Sequence, residues 1–233
     1  MIGSNAGWRV GDAALALLAG LLAGTLAQAV LGFDDPTVTG IFAFVIPAQT
    51  LGTLAVVAIT ARSRSIGVVG SLGLTADTRD LSGLLVGAGL QVVLTLITGV
   101  VLQLLEQAGI GEVPEQEVVQ LAEEALTVAE RTAVMVGSVI LAPLTEELVF
   151  RGVLLRAVLA RWGERAAIYG TAVVFGAFHL IDPNAVVAVP ALVVVGIVLA
   201  RQVVATGRLA RAFFTHVGFN LVSIVVLFIV EGL

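Results

Sequence analysis

Seven apolar stretches run through this sequence at about 12–32, 38–60, 82–104, 132–155, 166–182, 185–201 and 210–230, most of them close to the ~20 residues with which an α-helix crosses a bilayer core. Packed into 233 residues, they leave little chain for a water-soluble core. The expected fold is therefore all-α and polytopic, an integral membrane protein whose backbone polar groups bond within each helix. Composition agrees: 58% of residues are hydrophobic and 12% charged, about half the charged share of a soluble domain. The fifth and sixth runs are short and parted only by Asp182-Pro183-Asn184, a turn signal. The first run contains Ala27-Gln28-Ala29, which mimics a signal-peptide cleavage site, but its length and weak leading charge, Arg9 followed by Asp12, argue for a retained helix.

The arginines test this count independently, because positive residues collect in short cytoplasmic loops. Arg9 precedes the first run; Arg62, Arg64 and Arg79 lie between the second and third; Arg156, Arg161 and Arg165 between the fourth and fifth; Arg201, Arg208 and Arg211 between the sixth and seventh. The alternate loops carry Asp34, Asp35, an acidic stretch from Glu112 to Glu130, and Asp182, with Arg131 at a span edge. This alternation predicts a cytoplasmic N-terminus and an extracytoplasmic C-terminus, most simply in a plasma membrane. The net charge of −5 comes largely from the acidic stretch, and no basic stripe argues for nucleic acid. Cysteine is absent, which excludes disulfides, thiolate metal sites and a cysteine nucleophile.

Outside the spans, apolar residues at Val118, Leu121, Ala122, Ala125 and Val128 recur at helical spacing opposite Glu117, Gln120, Glu123 and Glu124. This segment is expected to lie on the membrane and cap its extracytoplasmic side. The glycine-rich stretch from Ile66 to Asp80 reads as re-entrant or interfacial. Gly20 and Gly24, and Gly83 and Gly87, have the spacing of close helix packing, and Asp182 before Pro183 reads as a cap or turn. No repeat or linker divides the chain, so residues 1–233 are expected to form one transmembrane domain.

Ionisable side chains within a span are costly and call for a reason. The fourth run carries Glu146, Glu147 and Arg151, the fifth His179 and the seventh His216 with Asn220. These are the only two histidines, and both fall inside apolar runs. A buried neutral imidazole serves as a base, a hydrogen-bond donor or a metal ligand. Glu147 and Arg151 are four apart on one helix face and pair, while Glu146 points about 100° away. Phe175 and His179, and His216 and Asn220, are likewise four apart. Depth counting from the cytoplasmic ends places a convergence of the three helices in the inner half of the membrane. Pro143 removes the helical bond to the Val139 carbonyl and is expected to open the fourth span.

Glu146-Glu147-x-x-x-Arg151, Phe175-x-x-x-His179 and His216-x-x-x-Asn220, in that order on separate helices, resemble the motifs of the CPBP family of membrane proteases, related to the type II CAAX prenyl endopeptidase and to bacterial immunity proteins. The resemblance covers about residues 131–225. It implies an intramembrane endopeptidase acting on a membrane-associated, possibly prenylated protein. By motif, Glu146 and His179 would activate water, and His216 and Asn220 would stabilise the oxyanion. Glu147, Arg151 and Phe175 would support them. A zinc reading uses the same side chains, with His179, His216 and Glu146 as ligands, and the residues leave both readings open. Asn220 as a plain interhelical hydrogen bond, a proton-coupled transporter, and a non-catalytic immunity or scaffold protein of the same family also remain open.

Overall fold

A computed structural model describes residues 7–32, 37–109 and 115–230; Asp34, Asp35 and Glu112 of the loops read above lie outside them. The described residues are helical throughout, with no strand among them. Six helices are long and apolar enough to cross a membrane: α1 Val10–Leu31, α2 Gly40–Ser63, α3 Thr78–Gln107, α4 Val128–Ile181, α5 Val189–Thr206 and α6 Ala210–Ile229. Leu15, Leu18, Leu22 and Leu26 of α1 and Leu85 and Leu96 of α3 face outward, as lipid contact requires and water does not tolerate. The protein is an integral membrane protein.

The expected fourth and fifth spans are the two arms of α4, which runs for 54 residues. It is broken at Gly163, where φ is 82° and ψ 179°, a conformation essentially reserved for glycine. Seven membrane-crossing arms therefore come from six helical stretches. The turn at Asp182-Pro183-Asn184 opens a short 3₁₀ helix, Pro183–Val187, so α5 starts at Val189, later than its apolar run suggests.

Close packing follows the glycines. A Cβ on Gly24 would stand 2.6 Å from the Gln49 side chain, and one on Gly20 would collide with the Thr53 hydroxyl, so α1 and α2 touch backbone to side chain. On the other side of the molecule Gly83 and Gly87 lie against Thr215, joining α3 to α6.

Ion pairs and carbonyl bonds identify the arginine end. Arg64 donates to Asp12 at 2.7 Å and Arg208 to Asp80 at 2.8 Å, and the bond to Asp80 raises the Arg208 guanidinium above its usual range. Arg156, read from the sequence as a loop charge, is buried and donates to the Leu72 carbonyl at 3.1 Å and the Gly207 carbonyl at 2.9 Å. The Ile66–Asp80 stretch thus folds against this end through a short helix, Val68–Leu72. The large apolar core, including Ala13, Ala61, Val153, Leu155, Val203 and Leu209, fills the same half.

A smaller cluster of Val38, Phe42, Ala122, Ala125 and Val134 closes the acidic end. The amphipathic segment there does not reach Val128 as one helix. It forms a helix over Glu117–Glu123, and Thr127 then caps α4 by accepting from the Glu130 amide. Val128 is correspondingly 84% exposed, whereas Ala122 and Ala125 are buried as the pattern requires.

Candidate active site

The polar residues of α4 sit where its backbone departs from regular α geometry. Before Pro143 the chain widens into a π turn over Met135–Leu141, with the Ala142 amide bonding back to the Gly137 carbonyl. A second π turn covers Glu147–Leu154. Proline cannot supply the amide that a regular helix needs, and single π turns concentrate at functional sites.

Glu147 is fully buried and joins two helices. Its Oε1 accepts from Arg151 at 3.0 Å, on the same helix, and lies 2.9 Å from Nδ1 of His216 on α6. The Arg151 guanidinium, 1% exposed, also stacks 4.2 Å from the Phe175 ring centre. Breaking such a buried pair on one side costs about 3–5 kcal/mol, so the carboxylate is the anchor of this cluster. Paired with arginine, Glu147 is an acceptor. His216 therefore carries its proton on Nδ1, which leaves Nε2 with a lone pair.

That Nε2 faces Glu146, at 3.8 Å from Oε2. Glu146 Oε2 is itself buried without a hydrogen-bond partner, although the side chain as a whole retains 20% exposure. A carboxylate oxygen and an imidazole lone pair directed at each other require a proton, or a polar molecule, between them.

His179 closes the other side. Its Nδ1 lies 2.9 Å from the Phe175 carbonyl; a carbonyl only accepts, so Nδ1–H donates and Nε2 is the free, basic nitrogen. The Phe175 ring packs edge-on against both histidines, at 5.0 Å from His179 and 5.9 Å from His216. The Phe-x-x-x-His spacing thus fixes the tautomer through the backbone and the ring orientation through the side chain.

Glu146 and His179 open into one cavity of about 440 Å³. Its remaining polar wall comes from Gln49, Thr50 and Thr53 of α2 with Thr145 of α4, and its apolar wall from Leu21, Ile41, Val45 and Phe178. The Thr145 hydroxyl lies 2.9 Å from that of Thr50, and Thr53 donates to the Ala16 carbonyl at 3.3 Å. These α2 residues carried no charge or motif and were not read from the sequence; polar residues at 49, 50 and 53 recurring on one face of an apolar span were the available signal.

Asn220 stands apart from this cavity. Its amide donates to the Ser138 carbonyl at 2.8 Å, binding α6 to α4 at the π turn and leaving one further N–H. Asp182 fulfils the capping role read for it, accepting from the Asn184 amide at 2.9 Å, and also accepts from the Glu117 amide at 2.9 Å.

The cavity extends from the middle of the bundle towards the acidic end and not to the arginine end. Its lining runs from Leu17 and Gly20, at mid-helix in α1, to Gln116, Glu117 and Asp182 at the acidic end. Depth counting missed this because His179 lies near the acidic end of its arm, only two residues before Ile181. Among the described residues no group of three or more histidines, aspartates or glutamates stands close enough to hold a metal ion. The engaged Nδ1 atoms leave the Nε2 atoms of His179 and His216 as the nitrogens that would hold a zinc ion, but with Glu146 they are not gathered closely enough to form such a group, and the chemistry below is derived from the side chains alone.

Residues 129–222 match the family model of the type II CAAX prenyl endopeptidases, Rce1-like. The matched segment contains all three motifs and agrees with the resemblance read over about 131–225, while α1 to α3 lie before it. No curated protein and no solved structure matches the chain.

Proposed function

Starting from a chain whose motif-bearing part is Rce1-like, we propose that the protein is an intramembrane endopeptidase that hydrolyses a peptide bond in a membrane-associated protein. The observation that carries this reading is that Glu146 and His179, the latter with its Nδ1 engaged by a carbonyl, line one cavity inside an otherwise apolar bundle.

In this reading Glu146 takes a proton from water held between it and His179, and the oxygen attacks the scissile carbonyl carbon. The carbonyl π electrons move onto oxygen. His216, after taking up the proton it shares with Glu146, is the donor for that oxyanion, and Asn220 holds α6 against α4 through the Ser138 carbonyl. Collapse of the tetrahedral intermediate breaks the C–N bond, and the proton from Glu146 or His179 passes to the leaving amine. Glu147 and Arg151 hold His216 in its tautomer, as a buried carboxylate does in other hydrolytic sites, and Phe175 holds His179. The positive-inside pattern supports a cytoplasmic arginine end and an extracytoplasmic C-terminus.

Cleavage of a quenched fluorescent peptide, with and without a lipid anchor, by purified protein in proteoliposomes tests the reading. Loss of the general base lowers rates by roughly 10²–10⁴-fold. Glu146→Gln and His179→Ala are each expected to lose cleavage on that scale with the fold intact, and full activity in both would end the proposal.

A further inference from the structure

The cavity's position along the membrane normal constrains what can enter it. On α2 its lining extends from Ile41 to Thr53, in the half that begins at the acidic end. At ~1.5 Å per residue this is a descent of roughly 20 Å. On α1 it reaches no closer to the arginine end than Leu17, and at the acidic end it is lined by Gln116, Glu117, Val118 and Asp182.

Between this cavity and the arginine end, α1, α2 and α4 pack closely, and the separate hollow lined by Arg165, Tyr169 and Arg201 shares no residue with it. Ala13 and Ala16 of α1 and Val57 and Ala61 of α2 are buried against each other and against the second π turn of α4, where Leu148 to Leu154 are all buried. The Glu147–Arg151–His216 cluster lies in this packed region and has its hydrogen bonds within it. None of the arginines of that end lines the cavity.

We propose that the substrate reaches Glu146 from the acidic-loop face, so that the scissile bond belongs to a polypeptide exposed on the extracytoplasmic side and held in the outer leaflet, not to a protein lipid-modified in the cytosol. This rests on the protease reading and on the arginine end being cytoplasmic. The apolar wall of Leu21, Ile41, Val45 and Phe178 accepts apolar side chains of such a chain. Glu117 and Asp182, at the acidic end of the lining, disfavour acidic residues in the entering chain. The resemblance to CAAX endopeptidases by itself points the other way, to cytosolic prenylated proteins, so cavity geometry and family expectation give opposite answers to one measurable question.

The absence of cysteine makes single-cysteine labelling clean. Gln49→Cys and Leu17→Cys probe the cavity wall at two depths, Glu124→Cys marks the acidic end and Arg62→Cys the arginine end, both of the latter exposed. A membrane-impermeant maleimide is applied to intact cells and, separately, to inverted vesicles. The expected result is labelling of Glu124→Cys and of both cavity variants in intact cells, with Arg62→Cys labelled only in inverted vesicles. Cavity variants labelled with Arg62→Cys, or from neither side, would overturn the proposal, as would Glu124→Cys labelled only in inverted vesicles. Labelling needs no catalysis, so this outcome is separable from that of the Glu146→Gln cleavage test.

Discussion

At the arginine end Arg151 is neutralised by Glu147, Arg64 by Asp12 and Arg208 by Asp80, and Arg156 donates to two carbonyls. Toward the acidic loops, one helical residue from Glu147, Glu146 has an oxygen buried without a partner, and His179 has a nitrogen with a free lone pair. Adjacent glutamates on one helix therefore differ in two ways: Glu147 is ion-paired and lies away from the cavity, and Glu146 lines it. A carboxylate tied through one oxygen to guanidinium and imidazole, with its other oxygen buried away from the cavity, holds helices together; one that lines a cavity can reach a substrate. The difference separates structure from chemistry more sharply than the motif, in which the two residues look alike.

The largest effect expected from this contrast is on the anchor. Glu147→Leu leaves Arg151 uncompensated in the core and should lower unfolding stability by about 3–5 kcal/mol, read by thermal unfolding in detergent. Glu147→Leu with Arg151→Leu should recover much of that loss, because an apolar pair of similar volume replaces the ions. A double variant as unstable as the single one would mean that His216, not the arginine, is the partner that matters.

Backbone and packing tests come next. Gly163→Ala should cost about 1–3 kcal/mol; a Cβ there meets nothing within 4 Å, so the whole penalty is conformational. Gly87→Ala would drive a Cβ into the Thr215 carbonyl and within 2.6 Å of the Phe219 amide nitrogen, with a similar cost of about 1–3 kcal/mol. Stability unchanged in both would mean that α4 straightens and α3 separates from α6 at little cost. The smallest effect is expected at the half-exposed Arg64, where Arg64→Ala should lower the unfolding free energy by about 1 kcal/mol or less. On the catalytic side, exhaustive dialysis against a chelator should leave the hydrolysis rate unchanged; stoichiometric zinc whose removal abolishes activity would contradict the proposed activation of water by Glu146 and His179 alone.

Much of this was legible in the residues. Hydropathy located every arm, the i,i+4 spacing correctly paired Glu147 with Arg151, and the confinement of both histidines to spans pointed to one polar cluster. The glycine pairs were rightly read as packing contacts, since four-residue small spacing has a direct steric meaning. What remained hidden depends on the third dimension. Arg156 looks identical in sequence to the exposed Arg161, and only the fold brings the Leu72 and Gly207 carbonyls to it. Gly163 resembles a loop glycine, yet it is the hinge that divides one helical stretch into two arms. The Asn220–Ser138 bond depends on the widened turn before Pro143. The end of the bundle towards which the cavity extends could not be counted from one helix at a time, because it is decided by how α1, α2 and α4 pack together.

The most direct test of the division between the neighbouring glutamates is to prepare Glu146→Gln and Glu147→Gln side by side and to measure, on the same samples, the thermal midpoint and the hydrolysis of a membrane-anchored quenched peptide. The predicted result is that Glu146→Gln keeps the wild-type midpoint and loses hydrolysis, while Glu147→Gln lowers the midpoint. A Glu146→Gln protein that still cleaves at the wild-type rate, or a Glu147→Gln protein as stable as wild type, would contradict it.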